Sequence, residues 1–167
     1  MNLKAMLETA AEHYGGKTAI VSGDRRLSYA ALDEASNKVA NALMKIGIGK
    51  GDRVAMLLPN SLEFVAIYFG ITKISAIAVP LDVKYKVDEL ASLFNDSQPR
   101  VLVTESPFLE PLAPILPGFK YIEHVIDVSA KYGGRFLSYQ GIMATGSAEK
   151  VELEPEPEDI AAFITRS

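Results

Sequence analysis

From Val54 onward the chain alternates short unbroken apolar runs with stretches of helical periodicity. Val54-Ala-Met-Leu-Leu58, Ile77-Ala-Val79, Val101-Leu-Val103 and His124-Val-Ile-Asp-Val128 are runs of the kind carried by strands buried on both faces. The segments between them read as helices from about Leu62 to Ser75, Asp88 to Asp96 and, shorter, Pro107 to Leu116. Strands alternating with helices at this spacing predict an α/β fold whose sheet is mainly parallel and helix-covered.

The residues before Val54 follow another rhythm. Met1–Gly16 reads as an amphipathic helix, with Glu8 and Glu12 at helical spacing and no long apolar stretch of a signal peptide. Thr18–Ser22 and Arg25–Leu27, joined by Gly23-Asp24, predict a short hairpin. Ser28 is placed to cap a helix that carries Leu32, Ala35, Val39, Leu43 and Ile46 on one stripe. Gly47-Ile-Gly-Lys-Gly51 stops that helix, since glycine tolerates the positive φ of a helix exit.

Toward the other end, Tyr132–Gly146 is weakly patterned and predicts loop with at most one short helix. Glu149–Glu158 holds five glutamates and two prolines and predicts a solvated connector. Ile160-Ala-Ala-Phe-Ile-Thr165 predicts a last strand, odd for this architecture in having no helix after it and a first hint of truncation. The expected layout is therefore helix and hairpin over about 1–30, βα units over about 31–130, loop and acidic connector over about 131–158, and a strand at 160–165.

Composition narrows the function classes. The 167 residues are 49% hydrophobic and 23% charged, ordinary for a globular chain. Seventeen basic against 21 acidic residues give a net charge of −4, without the Lys/Arg stripe of a nucleic-acid binder. With no cysteine, thiol catalysis, thiolate metal sites and disulfides are excluded. The most apolar span, Leu62–Leu81, is broken by Glu63, Gly70, Lys73 and Pro80, so no transmembrane segment is expected and a cytoplasmic protein is.

Candidate chemistry is sparse. Gly47-x-Gly49-x-Gly51 resembles a dinucleotide loop, but it follows a helix and precedes a strand, the reverse of the order that aims helix N–H groups at phosphates. His13 and His124 lack acidic or histidine partners at ligand spacing. Asn60 and Glu63 have capping-box spacing. Asp82 follows a strand at the edge where α/β sheets bind ligands, though turn chemistry is the better account of a lone Asp after Pro-Leu. The residues alone thus leave open an enzyme part, a flavodoxin- or receiver-like module, and a noncatalytic interaction or small-ligand-binding domain.

Leu27 to Thr104 resembles the adenylate-forming (AMP-binding, acyl-CoA synthetase) superfamily. The stretches that carry the likeness are Leu27-Ser-Tyr-Ala-Ala-Leu-Asp33, Ala40-Asn-Ala-Leu43, Gly47-x-x-x-Gly51-Asp-Arg-Val-Ala55, Leu58-Pro-Asn-Ser61 with Glu63-Phe64, Ala78-Val-Pro-Leu81, Glu89-Leu90 and Arg100-Val-Leu-Val103. Pro157–Ser167 resembles the strand that, in this family, enters a Thr-Ser-Gly-Thr-Thr-Gly-x-Pro-Lys phosphate loop; Ser167 aligns with that loop's first serine and Arg166 departs from its threonine. Lys73-Ile-Ser-Ala76 stands where Lys-Ala-Gly-Ala is commoner, and Lys86-Val87 where Thr-Pro is usual.

The resemblance implies an N-terminal subdomain of a larger enzyme. Such enzymes use ATP and Mg to convert a carboxylic acid to an acyl-adenylate and, in the synthetase branch, pass it to coenzyme A. It also implies that this chain alone is inactive, binds none of these cofactors tightly, and packs against a C-terminal two-thirds of the same polypeptide. Apolar surface left by that absence predicts self-association. Lys84 aligns with a position often occupied by arginine near the coenzyme A entrance.

Overall fold

The computed structural model describes residues 2–129, 131, 133–153 and 155. The chain opens with α1 (Leu3–Tyr14), the hairpin β1 (Thr18–Ser22) and β2 (Arg25–Ser28), and α2 (Tyr29–Lys45). Then follow β3 (Arg53–Leu57), α3 (Leu62–Lys73), β4 (Ile77–Pro80), α4 (Val87–Ser97), β5 (Val101–Thr104), α5 (Leu109–Leu112), β6 (His124–Asp127), β7 (Leu137–Ser138) and α6 (Tyr139–Thr145). The hairpin is a separate antiparallel pair. The main sheet is five-stranded in the order β4-β3-β5-β6-β7, and every neighbouring pair is parallel.

The apolar runs are fully used. Val54 and Met56 of β3 join Val101, Val103 and Ile126 in the core facing α2 and α3. Ala55 and Leu57 point the other way, joining Leu102 and Val125 against Leu90 and Phe94 of α4 and Leu109 and Leu112 of α5. Burying such a side chain stabilises the fold by about 1.5–3 kcal/mol. Helix α3 is apolar around most of its circumference because α1, α2, the hairpin and β4 all contact it. Gly70 permits the close approach of α2: a Cβ there would lie 2.6 Å from Cβ of Val39.

Charge is also buried between these helices. Lys73, fully inaccessible at the end of α3, donates to Asp33 Oδ1 and, at 2.8 Å, to Asn37 Oδ1, both on α2. Burial lowers the Lys73 pKa against the opposing pull of Asp33 and Glu8. The pair ties the end of α3 to the first turns of α2, and removing one member would strand the other in the interior.

Helix ends follow their local chemistry. Ser28 Oγ accepts from Ala31 N–H at 3.1 Å, as expected. Helix α3 is capped by Ser61, whose Oγ accepts from Phe64 N–H at 3.1 Å, and not by Asn60; the helix begins one residue later than the capping-box spacing suggested. Lys86 stands at the N-cap of α4 with a side chain that can only donate. Glu89 Oε1 accepts from the Lys86 N–H at 3.0 Å, so one arm of a box is made and the other is missing. Ser75 takes a left-handed φ of 59°, the conformation that glycine holds at no steric cost.

Three expectations are corrected. The Pro107–Leu116 helix is two short pieces, α5 and a 3-10 turn at Leu116–Gly118. The weakly patterned stretch to Gly146 contains β7, which extends the sheet, and α6, capped by Ser138. The acidic connector is not wholly solvated. At its start Asn41 donates to Glu149 O and Val151 is only 3% exposed, and the residues leading into it are held as well, Asn37 donating to Ala148 O, Lys38 to Met143 O and Asn41 to Ser147 O. The strand expected at 160–165 and Ser167 lie outside the described residues.

Candidate functional site at the carboxyl edge of the sheet

The chain runs from β3 outward to β4, then crosses to β5 on the other side of β3, which makes the carboxyl ends of β3 and β5 the topological switch point. Ligands of open α/β sheets bind in the crevice outside such a point. Here Thr104 Oγ1, fully buried, donates to Leu57 O at 2.8 Å and ties the two strand ends together. The loops that leave them begin with Leu58-Pro59-Asn60-Ser61 and with Glu105-Ser106.

The side chains that gather there are mostly acids. Glu63, in the first turn of α3, is paired at 2.6 Å with Arg25 of the hairpin. Burial pushes the Glu63 carboxyl up, but hydrogen bonds from Arg25, its own N–H and Ser61, with the Arg25 charge, hold it below the usual range. Glu105 goes the opposite way: burial, then the charges of Glu63 and Asp127, raise it. Tyr139, buried at the start of α6, is pushed up to about 12 by burial and by Glu63, against the pull of Arg25. Asp127 ends β6 and accepts from Ser129 N–H at 2.9 Å and Lys131 N–H at 3.1 Å.

Among the described residues, no three His, Asp or Glu side chains converge to hold a metal ion. Nor does this edge fit a polyphosphate. Among the described residues the group holds a single arginine, Arg25, and that is already paired with Glu63, so it offers no spare cation to phosphate oxygens. No phosphate or Mg chemistry is therefore derived from the described groups.

The sequence-predicted residues distribute around this edge without joining it. Lys84 is exposed on the loop between β4 and α4, on the flank of the sheet beyond β3, with no ion pair among the described residues. Asp82 serves the turn: its Oδ1 accepts from Lys84 N–H at 2.9 Å. His13 is exposed on α1, and His124 sits at the amino end of β6, far from the switch point in register. Sequence reasoning missed Glu105, Asp127, Arg25 and Tyr139. One signal was present: Glu105 and Asp127 each stand at the carboxyl end of an apolar run.

The arrangement has close counterparts in known proteins. Residues 7–165 match the model of the AMP-binding enzyme family. The chain belongs to that family. Among curated members, a crotonobetaine/carnitine–CoA ligase of Salmonella paratyphi A is 42% identical over 112 residues, 64% of this chain and 22% of the relative. A medium/long-chain-fatty-acid–CoA/3-oxocholest-4-en-26-oate–CoA ligase of Mycobacterium marinum is 30% identical across 99% of this chain and 32% of its own length. Among solved structures, the anthranilate CoA ligase AuaEII in complex with anthranoyl-AMP superposes with a TM-score of 0.88 at 28% identity, over 97% of this chain and 30% of that one. The long-chain-fatty-acid-CoA ligase FadD1 from Archaeoglobus fulgidus gives 0.84 at 30% identity, over 98% and 34%. This AMP-binding chain thus spans about a third or less of the length of these relatives.

Proposed function

We propose that this chain is the leading scaffold of an ATP-dependent acyl-CoA synthetase and has no activity of its own. The observation that carries the reading is the family match over residues 7–165, together with relatives three or more times as long that are named acyl-CoA ligases. The acidic switch point supports the second half: phosphate-neutralising groups must come from elsewhere in the polypeptide. The fatty-acid ligases among the relatives make a fatty or related carboxylic acid the favoured substrate, in a cytoplasmic enzyme. Exposed Met6, Tyr14 and Val21 are apolar surface for further polypeptide to cover, and without it for self-association.

Grafting the chain in place of the corresponding segment of the Archaeoglobus ligase tests the scaffold role. The chimera is expected to catalyse fatty-acid-dependent ATP–pyrophosphate exchange, whereas the 167-residue chain alone is expected to show none. A folded but inert chimera, or exchange by the chain alone, refutes the reading. Lys84, exposed and without an ion pair, supports a coenzyme A-side role. In the active chimera, Lys84→Ala is expected to raise the KM for coenzyme A and leave exchange unchanged.

A further inference from the structure

On the α2 face of the sheet, with none of the carboxyl-edge acids in its lining, a cavity of about 650 Å³ opens between the end of α2 and the β7–α6 segment. This lies within the range of about 300–1,000 Å³ typical of small-molecule sites. Its walls are Ala42, Ile46, Ile126, Leu137 and Ile142, and the only ionisable side chain among them is Lys45. Lys45 is exposed at the last turn of α2 and has no ion pair among the described residues.

The polar groups in the wall are already committed. Asn41 donates to Ser147 O and Glu149 O, Thr145 Oγ1 donates to Gly141 O, and Ser147 Oγ accepts from Glu149 N–H. The carbonyls of Leu43 and Met44, which would repel an anion at a helix end, are taken up by the N–H groups of Ile46, Gly47 and Ile48. What remains is a largely apolar pocket with one positive charge that no described residue answers.

We propose that this cavity binds an amphipathic carboxylate, its hydrocarbon body between α2 and α6 and its carboxylate at Lys45. Burial of the hydrocarbon supplies most of the affinity, and the ammonium selects the charged head. This goes beyond the scaffold role: none of Glu63, Glu105 and Asp127 lines the pocket, so the ligand would be held by groups other than those of the carboxyl edge.

The test is amide-detected NMR on the isotopically labelled 167-residue chain, with octanoate, octanol and inorganic phosphate added separately. Octanoate is expected to shift Ala42, Ile46, Ile126 and Ile142 on one saturable curve, and phosphate to leave them unmoved. Octanol, and octanoate with Lys45→Gln, should each bind about tenfold more weakly, the scale of one charged hydrogen bond, while Lys45→Arg retains affinity. Octanol binding as tightly as octanoate, or unsaturable shifts spread over the surface, overturns the proposal. So does movement of the same amides with protein concentration alone, which would make a second copy the occupant. Should Lys45→Gln misfold, the octanoate–octanol contrast on the unaltered chain still decides.

Discussion

The two edges of the main sheet are built on opposite electrostatic plans. At the amino edge, charges answer one another. Arg100 donates to Asp52 Oδ2, to both oxygens of Glu123 and to Gly47 O, and Asp52 also accepts from Gly49 N–H at 2.8 Å. Hydrogen bonding to Glu123 and the Asp52 and Glu123 charges raise the Arg100 pKa further above its ordinary value. At the carboxyl edge, Glu63 has a partner in Arg25, but Glu105 meets two further carboxylates and is driven upward. One edge is arranged for cohesion. The other holds a half-buried carboxyl, Glu105, with no cationic partner among the described residues, where ligands of such sheets bind and where stability is commonly forgone for function.

Substitutions can break or sharpen that contrast. The largest effect is expected from Asp52→Ala, which strands the Gly49 N–H and unseats Arg100; urea unfolding should show a loss of about 2 kcal/mol, and Asp52→Asn less. Next, Lys86→Ser supplies the acceptor missing from the α4 N-cap, beside the carboxyl edge, and should gain about 1 kcal/mol. At the amino edge, Ser75→Gly relieves a left-handed residue and should gain somewhat less, because glycine also loses more chain entropy on folding.

The smallest effect concerns Glu105 and depends on pH. A carboxyl raised in the folded state favours folding while protonated, and that contribution fades as pH rises through its folded pKa. Glu105→Gln should therefore stabilise the chain at neutral pH by no more than about 1 kcal/mol, the screened scale of a part-exposed charge. The gain should vanish in acid, below the ordinary carboxylate range. A gain that is equal at both pH values would show that ionisation of Glu105, disfavoured by burial and then by the charges of Glu63 and Asp127, is not the cause.

The sheet was legible in the sequence because strands buried on both faces must be apolar throughout, as Val54–Leu57 and Val101–Val103 are. Strand β7 was not, since a two-residue strand of Leu137 and Ser138 has no period to detect. The connector was misjudged for a related reason. Its glutamates suggested solvation, while what fixes its start is the main chain at Glu149 and the buried Val151. The carboxyl-edge group was hidden because its members come from five separate segments, each with an ordinary local role: a hairpin arginine, a helix-start glutamate, two strand-end acids and a helix-start tyrosine. Their meeting is a property of strand order, which periodicity does not encode.

The seating of the connector along α2 has one more consequence. Asn37, Lys38 and Asn41 all grip peptide oxygens and no side chain of residues 143–149. Recognition of this kind is blind to what the gripped residues are, so Ser147, Ala148 and Glu149 are free to drift in sequence while their path over the helix is preserved, whereas Gly146 is not, since a Cβ there would collide with Ile142 O. In a set of homologous chains, variability should concentrate in the strap and constancy in the three residues beneath it.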